Sequence, residues 1–74
     1  MTFGEEVKVK RIKKGMTQEF VGRLVGLSQP YIAQIESNTH DVTLTYATRL
    51  AFLLDIDLND YVHSPYRKQV KSHG

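Results

Sequence analysis

Seventy-four residues with 41% apolar content make one small folded domain and exclude wholesale disorder. No cysteine is present, so disulfides and thiolate zinc sites are excluded, and no apolar run approaches the ~20 residues that span a bilayer. The opening MTFGEEVKVKRIKK mixes charges through an apolar stripe, which a signal peptide cannot tolerate, so an intracellular, cytoplasmic chain is expected.

The net charge of +2 is unevenly spread. Residues 1–24 hold six basic and three acidic side chains; residues 25–64 hold only Arg49 against Glu36, Asp41, Asp55, Asp57 and Asp60. Arg67, Lys68 and Lys71 follow after Pro65. A polyanion would feel the first helix and the tail most strongly, whereas the plainer reading is that these cations only solvate exposed faces.

Five helices are expected. The first runs from about Thr2 to Lys14, with Phe3, Val7, Arg11 and Ile12 at helical spacing, and stops at Gly15. Thr17 caps a second helix that runs from Gln18 to about Val25, where Gly26 turns the chain. Ser28 caps a third, Gln29 to about Ser37, with Pro30 in the first turn, where a missing N–H is harmless. Ser37 to Asp41 reads as a polar loop, with Asn38 suited to a left-handed conformation. Thr43 opens a fourth helix with Leu44, Ala47, Leu50, Ala51 and Leu54 on one face, ended by Asp55. Asp57 caps a short fifth helix, Leu58 to about His63. Residues 1–64 are then the domain and residues 65–74 a basic, flexible tail.

The informative stretch is TQEFVGRLVGLSQPYIAQIES, Thr17 to Ser37. Two helices joined by a tight turn at a steep angle need a small residue where they approach and a residue free to take positive φ between them. Gly22 and Gly26 meet those needs, and Val21, Val25, Ile32 and Ile35 supply the apolar contact.

With KRIKKGMTQ before it and TLTYATRLAFLL after it, this stretch resembles the repressor and Cro family of phage and bacterial helix-turn-helix regulators over roughly residues 4 to 62. The resemblance implies an all-α, five-helix bundle of the lambda repressor-like type. It implies that Gln18 caps the second helix and reaches a phosphate, and that Arg11 and Glu36 form a partly buried ion pair. Gln29, Pro30 and Gln34 would face base edges, flanked by Ala33 and Ser37; in a DNA complex, Lys10, Lys13 and Lys14 of this chain are expected on the backbone. Family members usually bind operator DNA as dimers. The chemistry agrees in part: a glutamine amide can pair bidentately with adenine N6 and N7, and Ala33 can touch a thymine methyl. The plainer alternative leaves Gln29 and Gln34 as solvated helix residues.

The sequence departs from the family pattern in three ways. No Lys or Arg occurs from residue 25 to 48, and the loop after the third helix carries Asp41 where phosphate-gripping cations are usual. Phe20 and Leu24, four apart on one face of the second helix, stand where polar residues are usual, and Phe52 falls on the solvent side of the fourth. Pro30 and Ala33 offer no side-chain hydrogen bonds.

Two functions follow as alternatives. One is a transcriptional regulator bound to operator DNA, as a homodimer or otherwise. The other is an antirepressor, or modulator of repression, that pairs with a cognate repressor through Phe20, Leu24, Gln29, Pro30, Tyr31, Ala33 and Gln34. Leu58, Tyr61 and Val62 would either form a homodimer contact or cover the core. His40, His63 and His73 are too scattered for a metal site, and no nucleophile motif or phosphate loop points to an enzyme, a cofactor or a small-molecule ligand.

Overall fold

The computed structural model describes residues 1–62 and 70–71. Five helices occur among these residues: α1 (Phe3–Lys13), α2 (Gln18–Val25), α3 (Gln29–Glu36), α4 (Leu44–Leu54) and α5 (Asn59–Val62). The architecture is the all-α bundle expected.

Short polar side chains set the helix starts. The Thr2 hydroxyl accepts from the Glu5 N–H at 3.2 Å while the Thr2 N–H donates to Glu5 Oε1 at 2.7 Å, a reciprocal cap. Thr17 Oγ1 accepts from the Phe20 N–H at 3.0 Å and Ser28 Oγ from the Tyr31 N–H at 3.3 Å. Thr43 precedes α4 with no side-chain cap bond. Asp57 Oδ1 accepts from the Asn59 N–H at 3.0 Å at the start of α5. Left-handed residues end α2 at Gly26 and α4 at Asp55, and Asn38 takes the same conformation just beyond α3.

The core is drawn from every helix. Phe3, Val7, Val21, Ile32, Ile35, Leu50 and Leu54 are fully buried, and each contributes about 1.5–3 kcal/mol relative to an exposed side chain. Ile12 does not join them. It is 57% exposed, because the buried stripe of α1 runs Phe3, Val7, Arg11, and Ile12 lies about 100° round the helix from Arg11.

Tyr61 packs edge-on against Phe3, with ring centroids 5.4 Å apart, and its hydroxyl donates to Glu6 Oε1. Tyr61 is therefore a core residue, and Leu58 packs half-buried against the same core.

One feature was not anticipated from the sequence. The two-residue strand β1 (Val42–Thr43) pairs in parallel with β2 (Val70–Lys71), Val42 opposite Val70 and Thr43 opposite Lys71. The expectation of a flexible tail otherwise concerns residues 65–69 and 72–74, which lie outside the described residues, as do His63 and His73.

Candidate nucleic-acid interface

The turn between α2 and α3 depends on two glycines. A Cβ on Gly22 would stand 2.4 Å from the Leu27 carbonyl oxygen and 3.3 Å from Ile32 Cγ1, so only glycine allows this approach. Gly26 has φ +89°, and the N–H groups of Gly26 and Leu27 both donate to the Gly22 carbonyl at 2.8 Å. Arg49 closes the turn from α4. Its guanidinium donates to the Val25 carbonyl at 3.0 Å and lies 5.2 Å from the centre of the Tyr46 ring. It thereby places a cation at the negative end of α2.

Four polar side chains form a chain from α1 to the first turn of α3. Arg11 Nε donates to Glu36 Oε2 at 2.6 Å and its Nη2 to Oε1 at 3.1 Å; the remaining Nη1 donates to the Met16 carbonyl at 2.8 Å. The Arg11 side chain is 11% exposed and the Glu36 side chain 3%, so both charges are largely withdrawn from water and compensated by each other. Gln18 Nε2 donates to Glu36 Oε1 at 3.0 Å, and Gln18 Oε1 accepts from Gln29 Nε2 at 2.6 Å.

Thr17 caps α2, as its residue type predicts, and Gln18 does not, contrary to what the family resemblance implied. Thr17 stands one residue outside the helix and its hydroxyl reaches the Phe20 N–H, whereas Gln18 is already the first helical residue. The Gln18 side chain is thereby available to bridge Glu36 and Gln29.

Along α3, Gln29, Pro30 and Gln34 are exposed, as is Ser37 just beyond the helix, and Ala33 is half-buried. Tyr31 stacks on His40 with ring centroids 4.6 Å apart and planes inclined by 30°, a contact the sequence did not suggest. The Ser37 and Thr39 hydroxyls lie 2.9 Å apart, and each donates to the Gln34 carbonyl at 3.2 Å. These bonds tie down the loop at the end of α3.

Lys10, Lys13 and Lys14 come together in another place. They surround a notch with Leu54 and Asp55 at the end of α4. Lys14 Nζ bonds Asp55 Oδ2 at 2.8 Å and Lys10 lies 3.9 Å from Glu6 Oε2. The hydrogen bond and charge of Lys14 hold the Asp55 carboxyl below its usual range. Two of the three cations expected on phosphates are thus partnered with acids of this chain.

On α2, Phe20 and Leu24 are 44% and 53% exposed, a pair of apolar side chains open to solvent one turn apart. Phe52 on α4 is 88% exposed. Among the described residues no group of His, Asp and Glu could hold a metal ion, and no helix is long and apolar enough to cross a membrane.

A helix-turn-helix family model matches residues 7–61, from the second turn of α1 to the third residue of α5. Neither the curated proteins nor the solved structures gave a significant match.

Proposed function

The chain belongs to the helix-turn-helix family of DNA-binding transcriptional regulators, and we propose that it is a regulator of the phage repressor/Cro type that reads operator DNA with α3. The observation that carries this reading is the clasp between Gln29 and Gln18.

The clasp uses one of the two Nε2 hydrogens of Gln29. It leaves the second hydrogen and the Oε1 acceptor, which is the donor–acceptor pair that adenine N7 and N6 require in the major groove. Gln18 likewise spends one amide hydrogen on Glu36 and retains one to donate to a phosphate. The buried Arg11–Glu36 pair holds the assembly from below, so the reading amide is oriented before DNA arrives and loses less rotamer freedom on binding. Gln34 and Ser37 extend the reading surface along α3, Ala33 offers a methyl for a thymine, and Pro30 stiffens the first turn. Lys13 and, with their salt bridges exchanged, Lys10 and Lys14 add attraction for the DNA backbone. Two copies, one recognition helix to each half-site, would act at the bacterial nucleoid. Binding to operator-like duplexes across a salt series tests the reading. It requires affinity that falls as salt rises, and no binding at low salt contradicts it.

A second reading is favoured by the exposed Phe20–Leu24 pair and the absence of Lys and Arg between residues 25 and 48. Such a surface suits an antirepressor that docks on the DNA-binding domain of a cognate repressor through Phe20, Leu24, Pro30, Tyr31 and the glutamines of α3. Gel filtration of the chain mixed with that repressor separates the two. Co-elution that is abolished in an F20E/L24E variant supports the antirepressor, and independent elution rejects it.

A further inference from the structure

At the far end of α3 the Arg11 cation is neutralised by Glu36. The loop 38–41 carries no Lys or Arg and includes Asp41. Yet half or more of protein–DNA hydrogen bonds go to phosphate and sugar, and a reading helix needs such contacts on its flanks to be held in register.

The packing of α1 against α3 supplies a cation there. Arg11 reaches Glu36, the last residue of α3, and the Thr2 hydroxyl donates to Asn38 Oδ1 at 2.8 Å just beyond it. The flank of α1 between these two contacts therefore runs alongside the C-terminal end of α3. Lys8 stands on that flank, one turn before Arg11. It is exposed, and it shares a shallow groove with Met1, Glu5, Val9, Glu36, Ser37 and Asn38.

Both acids of the groove are already engaged. Glu36 is paired with Arg11, and Glu5 accepts from the Thr2 N–H, which holds its carboxyl below the usual range. Lys10 and Lys14 point instead toward Glu6 and Asp55.

We infer that Lys8, across the groove from Ser37, is the phosphate contact that holds the C-terminal end of α3 against DNA. The cation missing from the loop is thus provided from α1. Lys8 also places positive charge beside the negative end of the α3 dipole, where the last turn has no basic residue. This inference rests on the DNA reading, and its test separates the two.

The full chain, and its K8Q, K8R and R23Q variants, are titrated against a fluorescein-labelled mixed-sequence DNA duplex from about 50 to 200 mM salt. Each phosphate contact contributes about 0.9 to the slope of log affinity against log salt. K8Q is expected to lower the slope by about 0.9, and K8R to keep it. R23Q removes the same unit charge from α2, where Arg23 pairs with Glu19, and is expected to leave the slope unchanged. An unchanged slope in K8Q while the wild-type chain binds, or an equal loss in R23Q, overturns the role of Lys8 and leaves the DNA reading intact. Absence of salt-dependent binding by the wild-type chain removes the DNA reading itself, and the role of Lys8 with it.

Discussion

Gln29 donates its side-chain amide to Gln18 at 2.6 Å, so the first residues of the two helices that form the turn are joined by their side chains as well as by their packing. Gln18→Ala removes the acceptor that orients Gln29 and one bond to Glu36; Gln29→Ala removes the reading amide. Both variants should stay folded. Q29A is expected to lose about 1–3 kcal/mol of discrimination at a single base pair. Q18A is expected to weaken binding more evenly across sequences. Fluorescence anisotropy on a set of single-base operator variants distinguishes the two patterns.

The Arg11–Glu36 pair makes a stability prediction. Arg11→Met leaves the Glu36 carboxylate buried without its partner and should cost about 3–5 kcal/mol. In a domain of this size that lowers Tm by more than about 10 °C. The double variant R11M/E36L should recover much of the loss, since neither charge is then buried. It also removes the carboxylate that anchors Gln18, so its DNA affinity should remain low while its Tm rises. Thermal melts and binding on the same samples check both halves.

Gly22→Ala drives a Cβ to 2.4 Å from the Leu27 carbonyl oxygen, a backbone atom that cannot swing away. The expected cost is about 3 kcal/mol, at the top of the range for overpacking. Gly26→Ala meets nothing closer than 3.4 Å and strains only its positive φ, at about 1–2 kcal/mol. Urea titrations should rank the two in that order, with unchanged m-values.

The pH dependence divides between two groups. Burial, reinforced by its bond to Glu6, raises the Tyr61 phenol well above its ordinary value near 10. A raised folded pKa means that its contribution is fully present below pH ~10 and is lost as pH rises further. The stability difference between the wild-type chain and Y61F should shrink or reverse above that point. Asp55 is depressed by Lys14, so its contribution is present above about pH 4 and is lost as pH falls through the lower folded value. Asp55→Asn keeps a residue that tolerates the left-handed backbone and should differ from wild type near neutrality but not in strong acid. Denaturant melts across pH measure both differences.

The features that were legible in the sequence were those set by local rules. Thr17, Ser28, Gly26 and Asn38 act within a turn of where they stand, and the need for Gly22 follows from the steep crossing of neighbouring helices. The Arg11–Glu36 pair spans 25 residues. It came from the family resemblance, since no spacing rule joins positions so far apart. The surroundings of the lysines could not be read, because they depend on where the end of α4 lies relative to α1. That placement gave Lys14 to Asp55 and left Lys8, rather than Lys10, Lys13 or Lys14, beside Ser37. For the cap of α2 the local chemistry of Thr17 was the better guide than the family resemblance, which gave the cap to Gln18, and that one position of register frees the Gln18 amide for Glu36 and Gln29. The pairing of Val70–Lys71 with Val42–Thr43 had no sequence signal, since two residues carry no alternation.

The central claim is that α3 is the surface that meets DNA. Amide and side-chain NMR shifts of the full chain, titrated with operator-like duplex DNA at low salt, test it most directly. The account predicts that the resonances of Gln18, Gln29, Ala33, Gln34 and Ser37 move, including the side-chain amides of the three glutamines, while those around Phe52 stay in place. Saturating binding that leaves the glutamine amides unmoved, or no change at all on addition of DNA, would contradict it.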